Sequence, residues 1–169
     1  MASEIKGQKD WRDYGLDDLR HVPKELNRVA PEEIKRADSL EDAIEVIAQI
    51  FGLSTTNTEA TINTEIGDIV ISYSNLEHIV EKRQDARERY TNHALDTVLD
   101  PYEIWKTKYL NAQDKEESRY IFISLYDDKR QIHVVVSIWE QNILWNFMHS
   151  DKKSLNKHRH GELIYQRKK

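Results

Sequence analysis

Residues 119–139, RYIFISLYDDKRQIHVVVSIW, decide the fold. Arg119 to Tyr126 and Gln131 to Trp139 are dense in β-branched and aromatic residues, which favour a pleated, half-buried surface. The polar turn Asp127-Asp128-Lys129-Arg130 joins them, so the stretch reads as an antiparallel hairpin. The same period of two extends outward. Ile104 to Tyr109 makes a strand before the hairpin, and Asn142 to Met148 makes one after it, reached through Glu140 and Gln141. After a polar piece with helical character at Asp151 to Lys157, Glu162 to Gln166 reads as a closing strand.

Upstream of Pro101 the period is helical. Ser39 and Asp42 cap a helix running to Phe51, with Leu40, Ile44, Ile47 and Phe51 as its stripe and Gly52 as its stop. Two short β-like runs, Thr61 to Thr64 and Asp68 to Ser72, flank Gly67. Ser74 to Arg89, SNLEHIVEKRQDARER, opens with a capping box between Ser74 and Glu77 and continues with Leu76, Ile79, Val80 and Arg83 on one face. A further helix spans Glu88 to Leu99, and Pro101 ends it. Helices followed by an antiparallel meander define an α+β domain with its helices packed on one face of the sheet.

Residues 1–38 are polar, with Trp11, Tyr14 and Leu16 as anchors for an extended arm and Pro31 as the start of a short helix. The hydroxyl-rich segment STTNTE at Ser54 to Glu59 is the natural boundary, giving a lead segment over 1–58 and a main domain over 59–169. The 169 residues contain no cysteine, which removes disulfides and thiolate metal sites. No apolar run approaches the roughly 20 residues that cross a bilayer, and the polar N-terminus has no export signal, so no membrane partner is expected. Charge is unevenly placed. Residues 152–169 hold seven Lys or Arg against Glu162 alone, while the other 151 carry 18 basic and 29 acidic side chains. A basic C-terminal segment can approach nucleic acid or simply be a solvated terminus.

The candidate chemistry centres on His78. On a continuous helix Lys82 lies one turn from it, with Arg83, Arg87 and Arg89 close behind, a set suited to a phosphate. Ordinary helix pairing with Glu77, Glu81, Asp85 and Glu88 accounts for the same cations. His158-Arg159-His160 would place two imidazoles on one side of a strand, but no third ligand stands at a recognisable spacing, so no metal is expected. His133 reads as a packed strand residue. The five glycines are scattered, with no phosphate-cradling loop, and neither GxSxG nor HExxH is present; no cofactor is expected. Trp139, Trp145, Phe147, Tyr120 and Tyr165 fall in or beside strands, as core or as platforms for an unpaired base.

The ordered set NLEHIVEKR, RERYTNHALDTVLDPYEIW, RYIFISLY, the VVV strand and RHGELIYQR resembles the second type of phage Barnase–EndoU–Colicin–RelE-like nuclease, a domain often fused to Mu F-like phage head-morphogenesis proteins. The resemblance covers about residues 60–169. It implies one or two helices on a four- to five-stranded antiparallel sheet, and a metal-independent endoribonuclease used as a toxin or effector. It carries the family histidine to His78, the basic pair to Lys82 and Arg83, RERY to Arg87, Arg89 and Tyr90, and the closing motif to Arg159 and Tyr165. On that reading His78, Arg83, Arg89 and Tyr165 are catalytic, and Lys82, Arg87, Tyr90, Trp145, Asn146 and Arg159 bind substrate. One departure stands out: where the family commonly has threonine before an aromatic, this chain reads Leu144-Trp145-Asn146-Phe147. The expected partners are RNA and an immunity or phage capsid protein, and the expected place is the bacterial cytoplasm or the virion. The alternative, favoured by the acidic body and the missing threonine, is a non-catalytic phage or prophage protein-interaction module.

Overall fold

The computed structural model describes residues 3–138 and 141–167; the Trp139 expectation lies outside them. In chain order the elements are β1 (Ser3–Glu4), α1 (Leu40–Phe51), β2 (Glu59–Thr64), β3 (Gly67–Ser72), α2 (Leu76–Val80), α3 (Thr91–Leu99), β4 (Glu103–Leu110), β5 (Glu116–Ile123), β6 (Gln131–Ser137), β7 (Ile143–Ser150), α4 (Lys152–Leu155) and β8 (Glu162–Gln166). None of the helices among these residues is long and apolar enough to cross a membrane.

The class is α+β, but the sheet is larger than expected and mixed. Among the described residues it has eight strands in the order β1-β4-β5-β6-β7-β3-β2, with β8 also on β4. The meander β4 to β7 is antiparallel throughout. Two additions enlarge it. The β2–β3 hairpin joins β7 in parallel through the single register pair Val70–Ile143. On the other side β1 and β8 share the free edge of β4. Parallel pairing follows from connectivity, because two helices intervene between β3 and the meander instead of a tight turn.

The sheet buries both faces. On one, α1, α2 and α3 cover Ile69, Ile71, Ile104, Phe122, Ile132, Val134, Val136, Leu144 and Phe147. On the other, the arm and α4 bring Leu19, Val22 and Leu155 onto Tyr102, Trp105, Ile121, Ile123 and Val135, with Trp11, Leu16 and Trp145 at the margin. Alternation along β6 makes this two-sided burial possible: every residue from Gln131 to Ser137 is buried. Trp11, Tyr14 and Leu16 do hold the arm: Trp11 and Leu16 pack against the second core, and Tyr14 sets its ring edge-on to Trp105 and donates to Gly161 O at 3.0 Å; no helix forms at Pro31.

The arm is fastened to the C-terminal segment, which folds back instead of fraying. Arg159 is fully buried and donates through Nε and Nη2 to the equally buried Glu103 carboxylate, both at 2.7 Å. Its Nη1 reaches the Asp17 carbonyl at 2.9 Å, and Trp105 Nε1 and Gln166 Nε2 also donate to Glu103. Arg159 therefore clamps the fold, and its expected contact with substrate is corrected: no face of its guanidinium meets solvent. Next to it, Gly161 has φ +104°, and a Cβ there would stand 2.3 Å from the Lys106 carbonyl oxygen, so only glycine closes this turn.

Helix α1 matches expectation, with Ser39 accepting from the Asp42 N–H and Gly52 left-handed at its end. The Ser74–Arg89 helix does not. Ser74 pairs with Ser72 through hydroxyls, a 3₁₀ turn at Tyr73–Asn75 leads in, and α2 stops at Val80. Ala86 then takes φ +44°, and a second 3₁₀ turn, Arg87–Tyr90, feeds α3. The cause is local competition for carbonyls: Arg83 donates to Val80 O, and Arg89 donates to Asp85 O and Ala86 O.

Candidate active site

Two breaks in regular structure build one corner. The first is a bulge in β7, where the register slips so that Trp145 and Asn146 together oppose Val135. The second is the halt of α2, which sends the chain back over that bulge. Asn75 ties the two together: its Nδ2 donates to Leu144 O at 3.0 Å and Trp145 O at 2.9 Å. One helical turn on, the His78 ring lies over Trp145 with centroids 4.6 Å apart and planes at 43°. Its Nδ1 is 3.5 Å from Glu81 Oε1, and the side chain stays 37% exposed. From the following turn Arg87 reaches the same bulge, donating from Nη1 to Asn146 Oδ1 at 2.9 Å and from Nη2 to Asp85 at 3.3 Å. Asn146 Oδ1 also accepts the Phe147 N–H, so two donors hold the amide in place.

Replacing Asn75 by Ala leaves two carbonyls unpaired beneath the corner. The expected cost is about 1–3 kcal/mol, seen as a lower denaturant midpoint at unchanged slope. An unchanged midpoint would show that solvent replaces both bonds.

The structure therefore brings His78, Trp145, Asn146 and Arg87 together, and separates the other candidates. Arg83 sits in a bidentate pair with the fully buried Glu88 at 2.7 and 2.8 Å and donates to Ala37 O. Arg89 is spent on backbone carbonyls and lies 3.7 Å from Glu33. Tyr90 is buried against His149, with centroids 4.5 Å apart. Tyr165 pairs with Ile104 on β8, with β4, β5 and β6 between it and the bulge, and packs with the helix-side core, the face opposite Trp145. Lys82 is exposed just past the end of α2. The convergence expected of His78, Arg83, Arg89 and Tyr165 is thus replaced by His78, Arg87, Trp145 and Asn146. The reason is the break after Val80, after which Arg83 is committed to Glu88 and Arg87 is carried to Asn146 at the bulge.

The Arg83–Glu88 pair carries a pH signature. Burial pushes the Glu88 carboxyl up, but the bonds from Arg83 and the Ala37 N–H outweigh it and hold the group below its ordinary value. The folded state favours the charged form. Its contribution is therefore complete above the unfolded value near 4.5 and is lost as pH falls through the folded one. Melting temperature should drop below about pH 4.5, and Glu88→Gln should start lower but show a flatter acid limb in thermal melts.

Three further histidines, His133, His158 and His160, lie close together. His133 is buried, and among the described residues neither ring nitrogen has a hydrogen-bond partner. The His158 ring stacks on it with centroids 4.0 Å apart at 23°. His160 Nε2 lies 2.7 Å from Glu4 Oε2. No three potential metal ligands cluster among the described residues. A cleft of about 510 Å³ lies between the arm and this segment, lined by Glu4, Lys6, Trp11, Asn156, Lys157 and His160 among others.

The α+β sheet thus carries an imidazole, a guanidinium and an aromatic face together at one corner. The chain belongs to the family described as phage-Barnase-EndoU-ColicinE5/D-RelE like nuclease2, whose model matches residues 47–166. The matched span holds all of the corner, while the arm lies before it. No curated protein and no solved structure matches the chain.

Proposed function

We propose that the protein is a metal-independent endoribonuclease with the β7 bulge as its site. The observation that carries this reading is the placement of His78 on Trp145 beside the Arg87–Asn146 pair, in a chain of a nuclease family. Trp145 offers its margin to an unpaired base, an interaction of roughly 1–3 kcal/mol. Arg87, with N–H donors left over from Asn146 and Asp85, and the Asn146 Nδ2 hold the non-bridging oxygens of the scissile phosphate. Lys82 adds positive charge from the rim. His78 takes the proton of the ribose 2′-hydroxyl as its oxygen attacks phosphorus. The P–O5′ bond breaks, and the departing 5′-oxygen takes a proton from water. The products are a 2′,3′-cyclic phosphate and a 5′-hydroxyl end.

The test is end-labelled RNA incubated with the protein in excess EDTA. Cleavage leaving cyclic phosphate ends is the expected result; intact RNA, or cleavage that EDTA abolishes, overturns it. A second reading, a protein-binding module of phage or prophage origin, is favoured by one observation: Arg83, Arg89 and Arg159 are all committed to internal partners. Intact RNA together with tight capture of a single protein would support that reading.

A further inference from the structure

The stacked imidazoles of His133 and His158 have no part in the chemistry above, and their surroundings are unusual for histidine. His133 projects from β6 onto the arm-covered face and is only 3% exposed. Among the described residues it has no hydrogen-bond partner at either nitrogen, so nothing fixes a proton on it. Its neighbours along the sheet are Ile123 on β5 and Met148 on β7, and α4 packs on β6 with Leu155 as its buried contact. The charge acting on His133 from the Arg87–Tyr90 turn is the cation Arg87. His158, the other half of the stack, has Lys157 and His160 as cationic neighbours, and Glu4 on β1 as its acidic one. Burial presses both imidazoles toward the neutral form; His158 and Arg87 add to it at His133, and at His158 Glu4 opposes it while His160 and Lys157 add to it.

What lifts this above packing is the position of His158 in the chain. It sits in the Asn156–His158 turn, the main anchor of the arm. Asn156 accepts the Leu19 N–H and donates to Asp18. Arg159 accepts the Trp11 N–H on its carbonyl and donates to Asp17 O. Gly161 donates to Lys9 O. Any force that moves this segment off β6 pulls the arm with it. The arm and its anchor cover the face on which Trp145 lies.

We propose that the His133–His158 stack is an acid-operated latch: when it takes up a proton, the 156–161 segment lifts from β6 and the N-terminal arm is released from the sheet face beside Trp145. A neutral pair is compatible with a stack and a dry neighbourhood. A charged ring at His133 meets Arg87 and has no hydrogen-bond acceptor among the described residues, while one at His158 meets Lys157 and His160 against Glu4, which is itself engaged by His160. The latch does not depend on the ribonuclease reading, since it concerns access to that face whatever binds there.

The test is hydrogen exchange of the intact protein at pH 7.5 and pH 5.0, corrected for intrinsic rates, a range above the acid limb of Glu88. The amides of Trp11, Leu16 and Leu19 should lose protection by roughly tenfold per pH unit for each proton bound below the unfolded histidine value. Amides of α3 and β6 should remain protected at both values. The double variant H133F/H158F keeps two stacked aromatic rings and removes the titration, so its arm should stay protected at pH 5.0. Unchanged arm protection in the wild-type protein overturns the latch, as does loss of arm and core together. Acid loss that persists in the double variant overturns it too. Should that variant not fold, His133→Phe and His158→Phe made singly each remove one titrating ring, and arm protection should then fall less steeply with acid than in the wild-type protein; an unchanged slope in both overturns the latch.

Discussion

Replacing Arg159 by Ala should lower the melting temperature by about 6–20 °C. The estimate comes from two magnitudes: stranding one partner of a buried ion pair costs roughly 3–5 kcal/mol, and each kcal/mol moves the midpoint of a domain this size by about 2–4 °C. Glu103 would be left fully buried with its guanidinium partner gone, keeping only bonds from Trp105 and Gln166. The arm would lose its Asp17 tie as well. Replacing both members with apolar residues, as in E103L/R159M, should recover much of the loss, because the large cost is that of an unpaired charge and not of a missing bridge. A single variant that melts within a degree or two of the parent would mean that water reaches Glu103, against the closed packing described above.

Removing the imidazole at residue 78 should cost about 10²–10⁴-fold in RNA cleavage while leaving the melting temperature nearly unchanged. The two halves of this expectation have separate causes. His78 is more than a third exposed, and its contacts are a ring face and an acidic neighbour at 3.5 Å, so little stability rests on it. As the imidazole placed beside the bulge, it carries the proton transfer in the proposed reaction. Steady-state cleavage and a thermal melt on the same His78→Ala preparation check both. Full activity would move the catalytic role elsewhere, and a collapsed melting curve would make His78 a structural residue.

The meander was legible in the sequence because its strands obey a period of two and end at polar turns. β4, β5, β6 and β7 fall within a few residues of their expected places, and β8 on its expected bounds. α1 was legible for a similar reason: its cap, its stripe and Gly52 all agree. The site was not legible in the same way. Ser74 to Arg89 has the spacing of a continuous helix, and nothing in that spacing reveals that Arg83 and Arg89 satisfy backbone carbonyls better than a further helical turn would. Once the helix breaks, the two arginines expected at the phosphate are engaged by Glu88 and by backbone carbonyls, and Arg87 is the one that reaches the bulge. Asn75 gave no local signal, because its partners are 69 and 70 residues away. The pairing of His133 with His158 and of Arg159 with Glu103 are likewise contacts across distant sequence, which composition and periodicity do not encode. Only the tie of Gly161 to a tight turn left a trace, in the RHGELIY motif itself.

The bonds from Lys9, Trp11, Asp17 and Leu19 to the 156–161 segment also set an order of events during synthesis. The arm leaves the ribosome long before residues 156–161, yet lacks these ties until they follow. A nascent chain therefore carries the arm without its C-terminal ties, and the second core, to which Leu155 and Leu163 contribute, closes only after translation has passed β8. Ribosome-bound chains halted before residue 150 should accordingly leave Trp11 open to water, whatever the state of the helices behind it.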